Sequence, residues 1–241
     1  LTQIKLMEES VEKNRRLAFI GEMAASLAHE LRNPLASISG SIQMLQRDLS
    51  LRVTDERLMQ IIIRGKDQLE GFIKDFLLLA RKKQQAEEEV DLNVVINEVL
   101  ESLRVDHDWH EAVEVKKHFA PRAILFAGKA EIRQVVSNLI LNAVQAMPSG
   151  GTLFIETGMQ QSGEQASLEL TVSDSGEGID EDGLKKIFEP FYTTKERGTG
   201  LGLAIVNRIV AALSGDITVQ SAPGTGTTFK VRIPDGRKEE R

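Results

Sequence analysis

"RKKQQAEEEVD", residues 81–91, is where one hydrophobic period gives way to another. Upstream, Leu17, Ile20, Ala24, Leu27 and Leu31 step by three and four, as the seam of a packed helix does. Downstream, runs that alternate apolar with polar residues trade places with helical spacing. The charged stretch therefore reads as the junction of two parts, and 241 residues is enough chain for two small domains.

The upstream part reads as a hairpin. After Leu31 the seam continues through Leu35, Ile38, Ile42, Leu45 and Leu49, so two steps of four meet at Leu31. Such a stutter unwinds a supercoil locally. Pro34 stands beside it and removes the backbone donor that Glu30 would use, so both features mark one bend. A second seam runs Leu58, Ile62, Gly65, Leu69, Phe72, Phe76 and Leu79. The polar link from Arg47 to Glu56 lets the two helices fold back on each other. Narrow seams leave one side of each helix open, and a second hairpin would close a four-helix bundle.

The downstream part reads as helices over 92–109, 129–147 and 201–213, with strands over 113–119, 123–127, 152–158, 166–173, 216–221 and 227–233. That order, with mostly antiparallel strands, predicts an α+β arrangement in which helices cover one face of a sheet, an α/β sandwich. The expected domains are a linker helix over 1–20, a helical hairpin over 21–86, a short linker over 87–90, the sandwich over 91–236 and a tail over 237–241.

Composition narrows the function. A net charge of −6 with 27% charged residues gives no basic surface for nucleic acid or an anionic membrane. With no cysteine, disulfide and thiolate chemistry are excluded, as fits a reducing cytoplasm. No run of about 18 apolar residues is present to span a membrane. The first residue lies inside a helical pattern, so the chain is expected to be a fragment of a longer protein whose membrane attachment the sequence leaves open.

Chemistry concentrates in short motifs. His29 lies two residues from both Leu27 and Leu31, about 200° around a helix from either, and so points away from the seam. Glu30 adjoins it, and Asn33 follows one turn later on the same face. A neutral imidazole is a competent nucleophile, and a neighbouring carboxylate can orient it or take its proton. Asn138 and Asn142 stand one turn apart in "NLILNAVQAM". "DSGEGI", 174–179, follows a strand, and "GTGLGLAI", 198–205, runs from glycines into an apolar helix. The latter places backbone N–H groups and a helix N-terminus where phosphates can sit.

Taken in order, these stretches resemble the sensor histidine kinases of bacterial two-component systems. "SLAHELRNPL" is similar to that family's phosphoacceptor box, "NLILNAVQAM" to its N box, and "DSGEGI" to its first glycine box. "FEPFYTTK" is similar to the F box and "GTGLGLAI" to the second glycine box. The wording is nearest to kinases of the nitrogen-regulation and pilus-regulation type.

The resemblance implies a dimeric hairpin followed by an ATP-binding sandwich of the gyrase, chaperone and histidine-kinase type. It implies that His29 is the phosphoacceptor, Glu30 its base or orienter, and Asn33 the residue that supports phosphatase activity on a response regulator. Asn142, with Asn138, would hold Mg²⁺ through side-chain oxygens. Asp174 would accept a hydrogen bond from the adenine amino group, with Gly176 and Gly178 beside it and Thr227 supporting it from a strand. Residues 180–199 would be a mobile lid anchored by Phe188 and Phe191, from which Lys195 reaches the terminal phosphates. Gly198, Thr199, Gly200, Leu201 and Gly202 would close over the triphosphate and open the next helix. The implied partners are a second copy of the chain and a receiver domain carrying the acceptor aspartate.

Two departures from the family pattern stand out. Gln145 occupies a place where many members carry a basic residue. Asn138 occupies the place where the related ATPases carry a glutamate that activates water, which argues against simple ATP hydrolysis. A serine-protein kinase or ATPase sharing the nucleotide fold, and a silent dimeric scaffold, are the alternatives. The hairpin that carries His29 disfavours the first of these, and the intact nucleotide boxes disfavour the second.

Overall fold

The computed structural model describes residues 35–45 apart from 37 and 43, 53–80, 88–104, 109, 112–162, 165–195 and 198–234. The chain divides into two compact units, Leu1–Lys82 and Lys83–Arg241. His29, Glu30, Asn33, Pro34 and the stutter at Leu31 lie outside the described residues, as do the expected linker helix over 1–20 and the tail.

In the first unit, the described residues within 35–45 are helical (α1), and Val53–Ala80 forms α2. Helix α2 begins inside the stretch read as a polar link, because Thr54, Asp55 and Glu56 favour a helix N-terminus as well as a turn. Leu35 and Ile73 are buried together with Leu77 packed against them. Part of the expected α2 seam behaves differently: Leu58, Ile62 and Leu69 are exposed. The intra-chain contact therefore uses the seam on α1, where Leu35 and Ile42 are buried, and on α2 a stripe beside the seam that includes Met59 and Ile73, while Leu58, Ile62 and Leu69 face outward.

The second unit contains β1 (Glu88–Asp91), α3 (Leu92–Arg104), β2 (Val113–Phe119), β3 (Ile124–Ala127), α4 (Lys129–Gln145), β4 (Gly151–Ser162) and β5 (Gln165–Asp174). It continues with α5 (Glu181–Leu184), α6 (Gly202–Ala212), β6 (Asp216–Ala222) and β7 (Gly226–Pro234). A five-stranded sheet runs in the order β2-β4-β5-β7-β6, parallel only between β2 and β4. Helices α3, α4 and α6 contribute to the same core as the inward residues of β4, β5 and β7. This is the α+β sandwich that the sequence predicts.

Two elements depart from expectation. The stretch over 87–90, read as a linker, is mostly strand: β1 pairs with β3, Val90 opposite Leu125, and both side chains are buried. One buried valine in a run of acids gives no period to read. Helix α3 is described over Leu92–Arg104, Trp109 at its expected end is not helical, and the Arg104 guanidinium lies 5.8 Å from the centre of the Trp109 ring. The start of α3 is fixed by Asp91, whose carboxylate accepts from the backbone of Asn93 at 2.9 Å.

Strand register positions the site. Leu153 of β4 pairs with Asp174 of β5, Asp174 with Thr227 of β7, and Thr227 with Ser221 of β6. Along β5 the inward positions are Leu168, Leu170, Val172 and Asp174, so the aspartate ends an otherwise apolar face.

Candidate functional site

Asp174 is 9% exposed, and its Oδ1 accepts two backbone donors, Gly176 at 2.9 Å and Thr227 at 3.2 Å. With Oδ1 so engaged, Oδ2 is the oxygen that would meet a ligand's N–H. Burial pushes the carboxyl above the ordinary aspartate value, against the pull of those two N–H groups and of the Lys195 charge. A buried carboxylate aimed inward from a sheet end is costly in a core, and so marks a site for a ligand donor.

Ser221 braces this floor, although nothing in the sequence singles it out. Its Oγ accepts from the Ile179 backbone at 2.8 Å, contacts the Gly226 carbonyl at 2.9 Å and meets Thr227 Oγ1 at 2.9 Å. A hydroxyl has one proton. If Ser221 donates to Gly226, Thr227 must donate to Ser221, which ties β6, β7 and the 174–179 loop together. A lone serine in an alternating strand carries no readable signal of this.

The glycines of the 174–179 loop are required by approach. A Cβ on Gly176 would stand 2.3 Å from the Ala146 carbonyl oxygen. Gly178 has φ +72°, and a Cβ there would meet the Ala222 carbonyl at 2.0 Å. The loop is thereby pressed between the end of α4 and the β6–β7 turn.

Helix α4 turns two faces. Ile132, Val135, Val136, Leu139, Ile140, Ala143 and Val144 are buried. Gln134, Asn138, Asn142 and Gln145, spaced by four, four and three, form a stripe of carboxamides on another side. Gln134 donates to Asn138 Oδ1 at 3.2 Å, and Asn138 Nδ2 donates to the Gly202 carbonyl at 3.0 Å, tying α4 to the start of α6. The expected metal oxygen of Asn138 is thus already accepting a bond. Helix α6 has no side-chain cap, and Leu201 at its N-cap is fully buried. Its first N–H groups are suited to an anion.

The stretch expected to be a mobile lid is half anchored. Asp180 caps α5 by accepting from Gly183 N at 2.7 Å. Ile187 is buried, and Leu184, Phe188 and Tyr192 pack against the core through the turns that follow α5. Phe191 does not share that role: it is 51% exposed and has φ +69°. Its anchorage is through the backbone, where its N–H donates to the Gly200 carbonyl at 2.9 Å. Gly200 has φ +67°, and a Cβ there would meet the Phe191 backbone at 2.4 Å.

Lys195 reaches from this stretch to the end of α4. Its Nζ donates to Gln145 Oε1 at 2.9 Å and to the Asn142 carbonyl at 3.4 Å. Burial lowers the ammonium to about 8, opposed by the carboxylates of Asp174 and Glu177. Asp174, Thr227, Gly176, Gly178, Asn138, Gly202, Asn142 and Lys195 are thus linked around one end of the sandwich. Among the described residues, no group of three or more His, Asp or Glu could hold a metal by itself.

Comparison with known proteins agrees with this arrangement. Residues 19–85 match the His Kinase A (phospho-acceptor) domain, and residues 128–237 match the histidine kinase-, DNA gyrase B- and HSP90-like ATPase. The chain belongs to the sensor histidine kinases of two-component systems. It is 35% identical over 237 residues to the signal transduction histidine-protein kinase AtoS of Escherichia coli (strain K12), covering 97% of this chain and 38% of AtoS. The structure of full-length ShkA in complex with AMPPNP superposes with a TM-score of 0.75 at 28% identity, covering 88% of this chain and 45% of that one. Histidine kinase ThkA in complex with the response regulator TrrA gives 0.61 at 28% identity, covering 100% of this chain and 69% of that one. The chain spans less than half the length of curated relatives such as AtoS. It carries that family's ATP-binding domain.

Proposed function

We propose that this chain is the ATP-dependent autophosphorylating core of a sensor histidine kinase. The observation that carries the reading is that one chain joins a phosphoacceptor-domain match spanning His29 to a nucleotide-type site built around a buried, inward-facing aspartate. The phosphotransfer domain is assigned to 21–86 and the catalytic domain to the sandwich, beginning with β1. Asp174 Oδ2 accepts the adenine amino group, and Thr227 and Ser221 keep the carboxylate aimed. The start of α6 and Lys195 meet the phosphates.

A nitrogen of the neutral His29 imidazole attacks the γ-phosphorus, a P–N bond forms, the bond to the β-phosphate oxygen breaks, and ADP leaves. Glu30 orients the ring and takes its proton. The carboxamides of α4 fit Mg²⁺, which takes one or two protein oxygens and completes its shell with water and phosphate. Asn142 would hold it, joined by Asn138 once Gln134 releases its oxygen. When bound, the ion offsets charge on the phosphate oxygens.

The partners follow from the same reading. The outward seam of Leu58, Ile62 and Leu69 fits a second copy of the chain, closing a four-helix bundle. The receiver aspartate of a response regulator then takes the phosphoryl group from His29. Asn33, four residues after His29 in sequence, positions a water for the loss of phosphate from that regulator. No helix among the described residues is long and apolar enough to cross a membrane. We assign this portion to the cytoplasm on its kinship and the absence of cysteine.

Incubation with γ-labelled ATP and Mg²⁺ tests the reading. Label that is lost in acid and kept in base is expected on the wild-type chain, and none on His29→Ala, which still binds ATP. Label persisting on His29→Ala would overturn the assignment.

A further inference from the structure

We propose that Gln145 is a positioning residue that holds the Lys195 ammonium over the end of α4 and leaves its charge available to the nucleotide phosphates. The inference rests on the nucleotide reading above. Lys195 comes from the 188–195 stretch and Gln145 from the last turn of α4, so their 2.9 Å hydrogen bond joins two elements 50 residues apart in sequence. The second acceptor, the Asn142 carbonyl at 3.4 Å, lies in that same helical turn. An ammonium has three N–H groups, and two are directed by α4. The third is left for an anion.

The chemistry of the acceptor matters. A carboxylate at 145 would also hold Lys195, but as an ion pair that spends the charge a phosphate needs. A carboxamide oxygen orients the donor and carries no charge of its own. Gln134, Asn138 and Asn142 continue the same neutral stripe, so among its four residues the α4 face toward this site is polar without being anionic. A flexible lysine otherwise gives up much side-chain freedom when it engages a ligand. Parking it beforehand removes part of that cost.

The test is a double-mutant cycle on the full chain, read by calorimetric binding of Mg·ATP and of AMP. Gln145→Leu is expected to weaken Mg·ATP roughly tenfold, the scale of one charge-assisted hydrogen bond, and AMP far less. In a Lys195→Ala background the same change should alter Mg·ATP binding by no more than about twofold. Gln145→Glu should melt no lower than wild type and yet bind Mg·ATP more weakly, which a purely structural role for Gln145 does not produce. Equal losses for ATP and AMP, or a Gln145→Leu loss undiminished by Lys195→Ala, would overturn the proposal. A wild-type chain that binds no Mg·ATP overturns the nucleotide reading and this inference with it, a result distinct from additive losses in a chain that binds.

Discussion

In the sandwich Ile96, Val136, Leu139, Ile140, Leu153 and Ile155 are fully buried, whereas along α2 of the hairpin Leu58, Ile61, Ile62 and Leu69 are all 50% exposed or more. Both units use helices with apolar stripes, and they differ in what covers them. The sandwich supplies a sheet, and α3, α4 and α6 bury their stripes against it. The hairpin offers each helix one partner, which buries Leu35, Ile42, Met59 and Ile73 while leaving the neighbouring stripe of α2 open. Each fully buried leucine or isoleucine contributes roughly 1.5–3 kcal/mol. Completeness therefore separates the two units: the sandwich closes its own core, and the hairpin leaves an apolar stripe of α2 open, which on the proposed reading a second copy covers.

The sharpest way to break this comparison is to charge the open stripe. Ile62→Lys together with Leu69→Lys should convert the full chain from dimer to monomer in sedimentation equilibrium. Mg·ATP binding should stay within about twofold of wild type, because the substitutions lie in the other compact unit and touch none of the residues of the nucleotide site. A doubly charged variant that remains dimeric would show that another surface joins the copies.

The complementary change belongs in the sandwich. Leu139→Ala removes a fully buried side chain from the middle of α4 and should cost about 2–5 kcal/mol. Its melting transition should fall by roughly 5–15 °C with no change in association state. A loss of dimer as well would mean that the two units are energetically coupled.

What was legible in the sequence follows the same division. Strand β2, Val113–Phe119, is readable because its valines alternate with charged residues. Helix α4 is readable because seven buried positions keep helical spacing. Asp174 is visible as an acid at an inward position of β5. Strand β1 escapes because it contributes just one buried apolar side chain of its own, Val90. Ser221, the bond from Lys195 to Gln145 and the left-handed backbone of Phe191 escape for a different reason. Each depends on segments distant in sequence meeting in space, and no local period encodes that. The hairpin seam was legible as a stripe, but which side of it faces the other helix of the same chain was not.

A smaller effect probes the nucleotide end by pH. Burial lowers Lys195 to about 8, so the folded chain holds its proton less tightly than the unfolded chain does. Below that value the ammonium is charged and available to phosphate. Mg·ATP affinity should fall severalfold as pH rises from 7 to 9.5, and Lys195→Ala should flatten the profile. The stability term runs the other way. Between about 8 and the ordinary lysine value the unfolded chain binds more protons, so this group's contribution to stability rises with pH. A nucleotide-free melting temperature carried by Lys195 should therefore move opposite to affinity. Parallel movement would point to a different titrating group.

The smallest expected effect concerns Asp174, where stability and binding should part. Its carboxyl is raised above the ordinary aspartate value chiefly by burial, so the folded chain binds its proton more tightly than the unfolded chain. Stability from this group is then greatest below the ordinary aspartate value and declines as pH rises toward the raised one. Asp174→Asn removes that charge, while its amide oxygen can still accept from Gly176 and Thr227. The nucleotide-free variant should melt up to a few degrees higher than wild type at pH 7, and the difference should vanish at low pH. It should nevertheless bind ATP more weakly, because an amide can turn an N–H toward the adenine amino group where an acceptor is needed. A variant less stable than wild type at pH 7 would mean that the carboxylate is held there by Lys195 more strongly than burial opposes it. The buried acid would then be part of what stabilises the sandwich, and no longer a cost that the fold carries for its ligand.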